Sequence, residues 1–394
     1  VIDSLLRELA DFDTFGAKTR VHSRGDVPIF VNEFWTSKQR AAHSLHEVSY
    51  RACFKPQLPR FFITRLTREG ELVYDPFMGR GTTLLEAALL GRKWVGCDIN
   101  PLSKILLVPR LNPPTLSQVE KRLGEILFEQ HVDTPDSLRV FYHSRTLNQI
   151  CALREHLRSH NDEIDAWIRM VATNRLTGHS PGFFSVYTLP PNQAVTVERQ
   201  ARINRLRKQK PDFRDVPKLI LSKSKSLLNK LTDEDRALLI HSSNNHLFTQ
   251  SSDHTPHIQN NSVSLVVTSP PFLDVVDYAT DNWLRCWFND IDAKAIPIWS
   301  VRNVNEWQLK MTDVFRELHR VLKRCGFVAF EVGEVRGGKV KLEEVVIEAG
   351  SAAGLSPALV LINDQSFTKT SNIWGVSNLQ KGTNTNRVVV FQKT

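Results

Sequence analysis

The chain has 394 residues, 41% of them hydrophobic, which excludes a disordered polymer and leaves room for one large domain or two ordinary ones. Its 51 Lys and Arg against 42 Asp and Glu give a formal charge of +9, which suits a polyanionic partner without requiring one. The cysteines (Cys53, Cys97, Cys151, Cys286, Cys325) form no C-x-x-C pair and no run approaches the ~20 apolar residues of a membrane span, so a disulfide framework, a zinc ribbon and a membrane protein are disfavoured and a reducing cytosol fits.

Along the chain, Val1 to Phe15 carries Asp3, Glu8, Asp11 and Asp13 with no basic flank before an apolar run, and so does not read as a signal peptide. Short apolar, β-branched runs then alternate with helical patterns, which predicts an α/β sheet covered by helices. Strands are expected at Glu71 to Asp75, Lys93 to Asp98, His246 to Gln250, Val263 to Thr268, Gly326 to Val332, Pro357 to Ile362 and Arg387 to Gln392, giving a seven-stranded, mostly parallel Rossmann-like sheet. Helices are expected at Thr82 to Leu90, Tyr278 to Phe288 and Lys341 to Ala353, with a long amphipathic one from Val304 to Lys323 stopped near Gly326. Between Asp98 and His246 lie nearly 150 residues where a crossover needs a dozen or more, so an additional, mainly helical module is expected there, with helices at Ser117 to Gln130, Arg145 to Arg158 and Glu163 to Leu176. The expected organisation is a catalytic domain in two parts, 1–110 and 246–394, interrupted by an inserted region at 111–245.

The first chemical signal is Val73-Tyr74-Asp75-Pro76-Phe77-Met78-Gly79-Arg80-Gly81-Thr82-Thr83, a strand ending in a carboxylate, then a glycine turn, then a helix start with free N–H groups. A nucleotide-like cofactor suits such a turn. The third glycine of a dinucleotide fingerprint would stand at Leu84, so nicotinamide dinucleotides are disfavoured. Asp75 would repel a pyrophosphate and suit an ammonium group. The second strand ends at Asp98, where an acidic side chain can accept from ribose hydroxyls.

Asp75-Pro76-Phe77-x-Gly79-x-Gly81-Thr82-Thr83, with Glu86-Ala87-Ala88 and Gly91-Arg92-x-x-x-Gly96-x-Asp98 after it, resembles the cofactor motif of the bacterial amino-methylating DNA methyltransferases, which act on N4 of cytosine or N6 of adenine. The [Ser/Asp/Asn]-Pro-Pro-[Tyr/Phe/Trp] tetrapeptide of that family has its counterpart in Thr268-Ser269-Pro270-Pro271-Phe272. Tyr50 to Pro59 resembles the family's segment beside the methionine end of the cofactor, and Ser252-Asp253 stands where the family often places a polar residue near the adenine. The resemblance implies S-adenosyl-L-methionine as cofactor, bound by Phe54, Asp75, Phe77, Gly79, Gly81, Thr82, Asp98 and Asp253. It also implies double-stranded DNA as partner, a bacterial or archaeal cytoplasm, and a possible cognate restriction endonuclease.

The Ser-Pro-Pro-Phe chemistry can be argued without the family. An exocyclic amine conjugated to a ring is a poor nucleophile, so acceptors must hold its hydrogens as it attacks the sulfonium methyl. Ser269 Oγ and the Pro270 carbonyl are the candidate acceptors, Pro270 and Pro271 stiffen the loop, and Phe272 can stack on a base rotated out of the duplex. Ring-carbon methylation would need a cysteine nucleophile, usually after a proline, and no cysteine here follows one. No clustered His, Glu or Cys set suggests a metal. The stretch from Arg199 to Lys230 is strongly basic, and Arg199, Arg202, Arg205, Arg207, Lys208 and Lys210 are its candidate DNA-binding residues, a solvated helical face being the alternative. Serine before the two prolines favours cytosine N4, with adenine N6, an RNA target, and a non-catalytic DNA-binding protein of the same fold as further readings.

Overall fold

The computed structural model describes residues 1–36, 42–51, 53–189, 193–241, 246–271, 278–299, 301–333, 341–364 and 385–394. From the amino end come α1 (Ile2–Ala10), a hairpin of β1 (Arg20–Arg24) and β2 (Val27–Asn32), and α2 (Gln57–Leu66). Next are β3 (Leu72–Asp75), α3 (Thr82–Leu89), β4 (Lys93–Asp98) and α4 (Leu102–Leu111). Helices α5 (Leu116–Glu125), α6 (Ser144–Ser159), α7 (Glu163–Arg175), α8 (Val197–Arg207), α9 (Val216–Leu228) and α10 (Asp233–His241) precede β5 (His246–Thr249). The chain continues through β6 (Val263–Thr268), α11 (Tyr278–Phe288), α12 (Val304–Val321), β7 (Leu322–Val332), α13 (Leu342–Ala352), β8 (Ser356–Asp364) and β9 (Thr385–Gln392).

All seven expected strands are present, but the sheet among the described residues has nine, in the order β1-β2-β8-β9-β7-β6-β3-β4-β5. The seven-strand expectation is corrected by the β1–β2 hairpin, which extends the sheet because β2 pairs in parallel with β8. Every residue of β1 is exposed and β2 carries Pro28, so neither shows the alternation or the continuous apolar run that marks a strand. The pairs β2–β8, β6–β7, β3–β6, β3–β4 and β4–β5 are parallel, and β9 runs antiparallel between β7 and β8.

Central strands buried on both faces read as unbroken apolar runs, as β6 does. Val73, Leu265 and Val267 pack into one core layer with α2, α3 and the inserted helices. Tyr74 and Val266 face the other layer, where α12 and α13 supply Phe315, Leu318 and Val346. Helix α12 is capped by Asn303, whose Oδ1 accepts from the N–H groups of Asn305 and Glu306. It ends at Val321 rather than Lys323, and Gly326, expected as its stop, lies inside β7 after Cys325 at φ 60°. The reason is local crowding: a Cβ at Gly326 would stand 2.9 Å from the Lys323 carbonyl, next to a register shift in the β6–β7 pairing.

The crossover from β4 to β5 holds α5 to α10, which pack on the sheet layer rather than apart from it: Trp167, Ile168 and Val171 of α7 belong to the same apolar cluster as Val73 and Leu265. From β3 the sheet grows one way to β4 and the other way to β6, so the carboxyl ends of these three strands flank the point where strand order reverses. Open α/β sheets bind ligands in the crevice at such a point.

Candidate functional site

The turn after β3 is shaped by two glycines at positive φ, Gly79 at 50° and Gly81 at 74°. A Cβ on Gly81 would come within 2.6 Å of the Leu107 methyls, so any other residue would strain the backbone at this positive φ and push the Leu107 side chain aside. Asp98 organises this turn from the end of β4: its Oδ2 accepts from Gly79 N at 2.7 Å and its Oδ1 from Asn100 N at 2.8 Å. Burial raises its carboxyl above the ordinary value, and these two N–H groups oppose the rise. Asp75, 1% exposed, accepts from Thr268 Oγ1 at 2.6 Å and from Phe77 N at 3.1 Å, and burial pushes its carboxyl up to about 7.

A strap before α2 is tied onto this turn by buried guanidiniums. Arg80, between the glycines, donates to the carbonyls of Val48 at 2.6 Å and Phe54 at 3.2 Å, and its Nε donates to Thr82 Oγ1 at 3.1 Å. Arg110, fully buried, donates to the carbonyls of Leu45 and Arg80, and burial beside Arg80 draws its pKa down to about 9. His46 Nε2 lies 2.7 Å from Glu86 Oε1 on α3. At the far end of the strap, Tyr50 Oη accepts from Asn100 Nδ2 at 3.1 Å, and Arg51 pairs with Asp281 of α11. Each of these bonds satisfies a polar group that burial would otherwise leave unpaired.

Together these elements line a cleft of about 690 Å³, the solvent-open mouth included. The strap contributes Tyr50, Arg51 and Cys53; the turn, Pro76, Phe77 and Gly79; the end of β4, Asp98, Ile99 and Asn100. The segment after β5 contributes Gln250, Ser251 and Ser252, and the end of β6 contributes Ser269 and Pro271. Tyr278 and the stretch Pro297 to Trp299 complete the wall, with the Trp299 ring edge-on to Phe77 at 6.3 Å between centroids.

Of the residues singled out from sequence, Phe77, Gly79, Asp98, Ser269 and Pro271 meet in this cleft. Asp75, Gly81, Thr82 and Pro270 lie buried off its wall. Phe54 packs on the core and gives its carbonyl to Arg80, while its neighbours Tyr50, Arg51 and Cys53 face the cavity. Gln250 to Ser252, rather than Asp253, line it after β5. Phe272 lies outside the described residues. Tyr278 and Trp299 carried no motif signal, because they reach the cleft only through the packing of α11 and of the segment before α12.

Ser269 stands on the wall with its Oγ buried and without a hydrogen bond of normal geometry. The parallel pairing of Thr268 with Phe330 sets Ser269 beside Glu331 of β7. Burial raises the Glu331 carboxyl, and the nearby Ser269 hydroxyl and Asn386 amide oppose that rise. A glycine-lined turn, an acidic strand end, aromatic walls and an unsatisfied hydroxyl in one cleft fit a nucleoside-bearing cofactor with a polar tail. Among the described residues no group of three or more His, Cys, Asp or Glu is placed to hold a metal ion.

Helix α8 and the residues just after it display the basic set. Arg199, Arg202, Arg205, Arg207, Lys208 and Lys210 are all exposed, while Gln200 and Ile203 face inward. The Arg207 guanidinium stacks over Tyr187 at 3.7 Å. Farther on, Lys223 pairs with Glu47 at 3.2 Å and Lys230 donates to the Ala42 carbonyl, so part of the later basic stretch serves packing.

Comparison with known proteins agrees with this geometry. Residues 17–104 match the family model described as DNA methylase. The chain is 24% identical over 323 residues, 75% of its own length and 61% of the relative's, to the Type II methyltransferase M.BsoBI of Geobacillus stearothermophilus. It is 31% identical over 133 residues to the Type II methyltransferase M.BamHI of Bacillus amyloliquefaciens, 34% of this chain and 29% of that one. It is 32% identical over 92 residues to the Type II methyltransferase M.MjaII of Methanocaldococcus jannaschii, 23% and 17% respectively. The matched stretches span less than two thirds of each relative's length. Residues 17–104 are thus similar to the DNA methylase family, and the relatives that the chain resembles are Type II methyltransferases.

Proposed function

We propose that the protein methylates N4 of cytosine in double-stranded DNA at a specific sequence, as the protective half of a restriction-modification pair, with residues 111–245 as the target-recognition region. The observation that carries this reading is the union in one cleft of Gly79 and Asp98 with Ser269 and Pro271. S-adenosylmethionine supplies an electrophilic methyl group. Asp98, already holding Gly79 N and Asn100 N, presents a carboxylate to ribose hydroxyls, and the Gly79 backbone permits close approach without a side-chain clash. Asp75 supports the turn from behind, through Thr268 and Phe77.

The role of Ser269 is to accept a hydrogen from the target amine as its nitrogen turns tetrahedral, together with the Pro270 carbonyl. Phe272 is assigned to stacking on the flipped base. None of the cysteines follows a proline, which argues against a covalent route through a ring carbon. Helix α8 is well placed to hold phosphates near the cleft: Ala194 N donates to the Asp281 carbonyl at 3.0 Å and Trp283 Nε1 to the Val195 carbonyl at 3.1 Å, so its leading end is fastened to α11, whose Tyr278 lines the cavity.

The test is to express the chain, digest host DNA to nucleosides and identify the product by mass spectrometry. N4-methylcytosine is the expected product. N6-methyladenine alone would reassign the base, 5-methylcytosine would overturn the mechanism, and absence of cofactor binding would leave a DNA-binding protein of the same fold.

A further inference from the structure

Two prolines leave the Ser269-Pro270-Pro271 segment few ways to move. Their rings fix φ at both positions, and a residue before a proline is itself confined to extended conformations, which restricts ψ of Ser269 and Pro270. The soft dihedral that remains is ψ of Pro271, which sets the direction of the Pro271 carbonyl and of the chain leading on to position 272. That carbonyl has a partner on α12: Trp307 Nε1 donates to it at 3.2 Å. We propose that Trp307 is a positioning residue for methyl transfer, which locks ψ of Pro271 and so directs Phe272 at the target base. This rests on the reading of Ser-Pro-Pro-Phe as the acceptor loop.

The indole is itself held in place. Trp307 stands in the first turn of α12, where Asn303 caps the helix and its carbonyl accepts from Trp307 N at 3.0 Å. The residue is 3% exposed and belongs to the same apolar layer as Met311, Val314 and Phe315. A donor carried on a packed ring keeps one direction, so the carbonyl is oriented by the helix layer and not by the loop alone. Prolines have no N–H, so Pro270 and Pro271 offer the rest of the protein only their carbonyls as handles. Trp307, Met311 and Val301 line a small recess behind Pro271, and Pro271 also lines the cleft. The bond therefore joins α12 to the wall on which Ser269 stands.

The experiment measures single-turnover methyl transfer to a duplex carrying the site that the parent methylates. Trp307→Phe keeps a ring in the layer and removes the donor, so transfer should slow about tenfold while affinities for S-adenosylmethionine and DNA stay within about threefold of the parent. Met311→Val loosens the same recess and keeps the N–H, and its rate should equal the parent's. Because Trp307 acts through Phe272, adding Trp307→Phe to Phe272→Ala should slow transfer by less than about twofold beyond Phe272→Ala alone. A further loss of about tenfold in that double variant, an equal loss in Met311→Val, or no loss in Trp307→Phe overturns the positioning role and leaves the acceptor-loop reading intact. If Trp307→Phe does not fold, β-(3-benzothienyl)alanine at position 307, with sulfur in place of the indole N–H, gives the same comparison. A parent that methylates no exocyclic amine overturns both.

Discussion

Thr268 Oγ1 donates to Asp75 Oδ1 at 2.6 Å, a bond between the last residues of β6 and β3. It ties the strand that leads into Gly79 and Gly81 to the strand that leads into Ser269, so the two halves of the cleft share one buried carboxyl.

That carboxyl makes stability depend on pH. Its folded pKa of about 7 lies above the ordinary 3.8, so the native state holds the proton more tightly than the unfolded chain. The resulting stability is fully present below about pH 4 and is lost as pH rises through about 7, a span worth up to about 4 kcal/mol by the free-energy equivalent of a pKa unit. Asp75→Asn keeps an Oδ1 acceptor for Thr268 and Phe77 and cannot ionise. Its unfolding midpoint in urea, relative to the parent, should rise between pH 5 and pH 8; a constant difference across that range would show that Asp75 is ionised throughout.

Removing Asp98 should separate cofactor affinity from folding. Asp98→Ala leaves Gly79 N and Asn100 N without their acceptor and withdraws the carboxylate from the cleft. Affinity for S-adenosylmethionine is expected to fall at least about tenfold, with far-ultraviolet circular dichroism unchanged. Calorimetric titration of the folded variant decides the matter, and unaltered affinity would remove Asp98 from the site.

Ser269→Ala should reduce turnover by about a hundredfold, the effect typical of removing one group that acts mainly in the transition state. DNA affinity by fluorescence anisotropy should change by less than about threefold, because the serine hydroxyl is buried rather than part of the outer surface. A matched loss of binding and turnover would make Ser269 a structural residue of the β6 end.

Neutralising Arg202, Arg205 and Lys210 together tests the outer face of the basic helix without disturbing the Arg207–Tyr187 stack. For each phosphate that a removed cation had neutralised, the slope of log affinity against log salt should flatten by about 0.9, for every DNA sequence alike. Cofactor affinity should stay the same. An unchanged slope identifies this face as merely solvated.

How far the chain is legible before folding depends on where each signal is written. Strands buried on both faces, such as Val263 to Thr268, announce themselves as apolar runs, and the turn around Gly79 and Gly81 is contiguous in sequence. The β1–β2 hairpin does not, since an exposed edge strand such as Arg20 to Arg24 needs no apolar face. Gly326 marks a glycine-demanding bulge in the same letters that would mark a helix stop. Asp75 and Asp98 both end strands, yet only the packing shows that the first is bonded to Thr268 within the sheet while the second borders the cavity. Tyr278 and Trp299 arrive from elements distant in sequence, so only the fold makes them neighbours of Gly79.

The placement of α5 to α10 between β4 and β5 also bears on how the molecule assembles. Those two strands are adjacent and parallel, but nearly 150 residues separate them along the chain. Closing a loop of that size costs about 2 kcal/mol more than closing one a tenth as long. Because α7 shares its apolar layer with β3 and β6, docking of the helices shortens the loop that pairing of β5 has to close. Residues His246 to Thr249 are therefore expected to be the last strand to gain amide protection on refolding and the first to lose it in native-state hydrogen exchange.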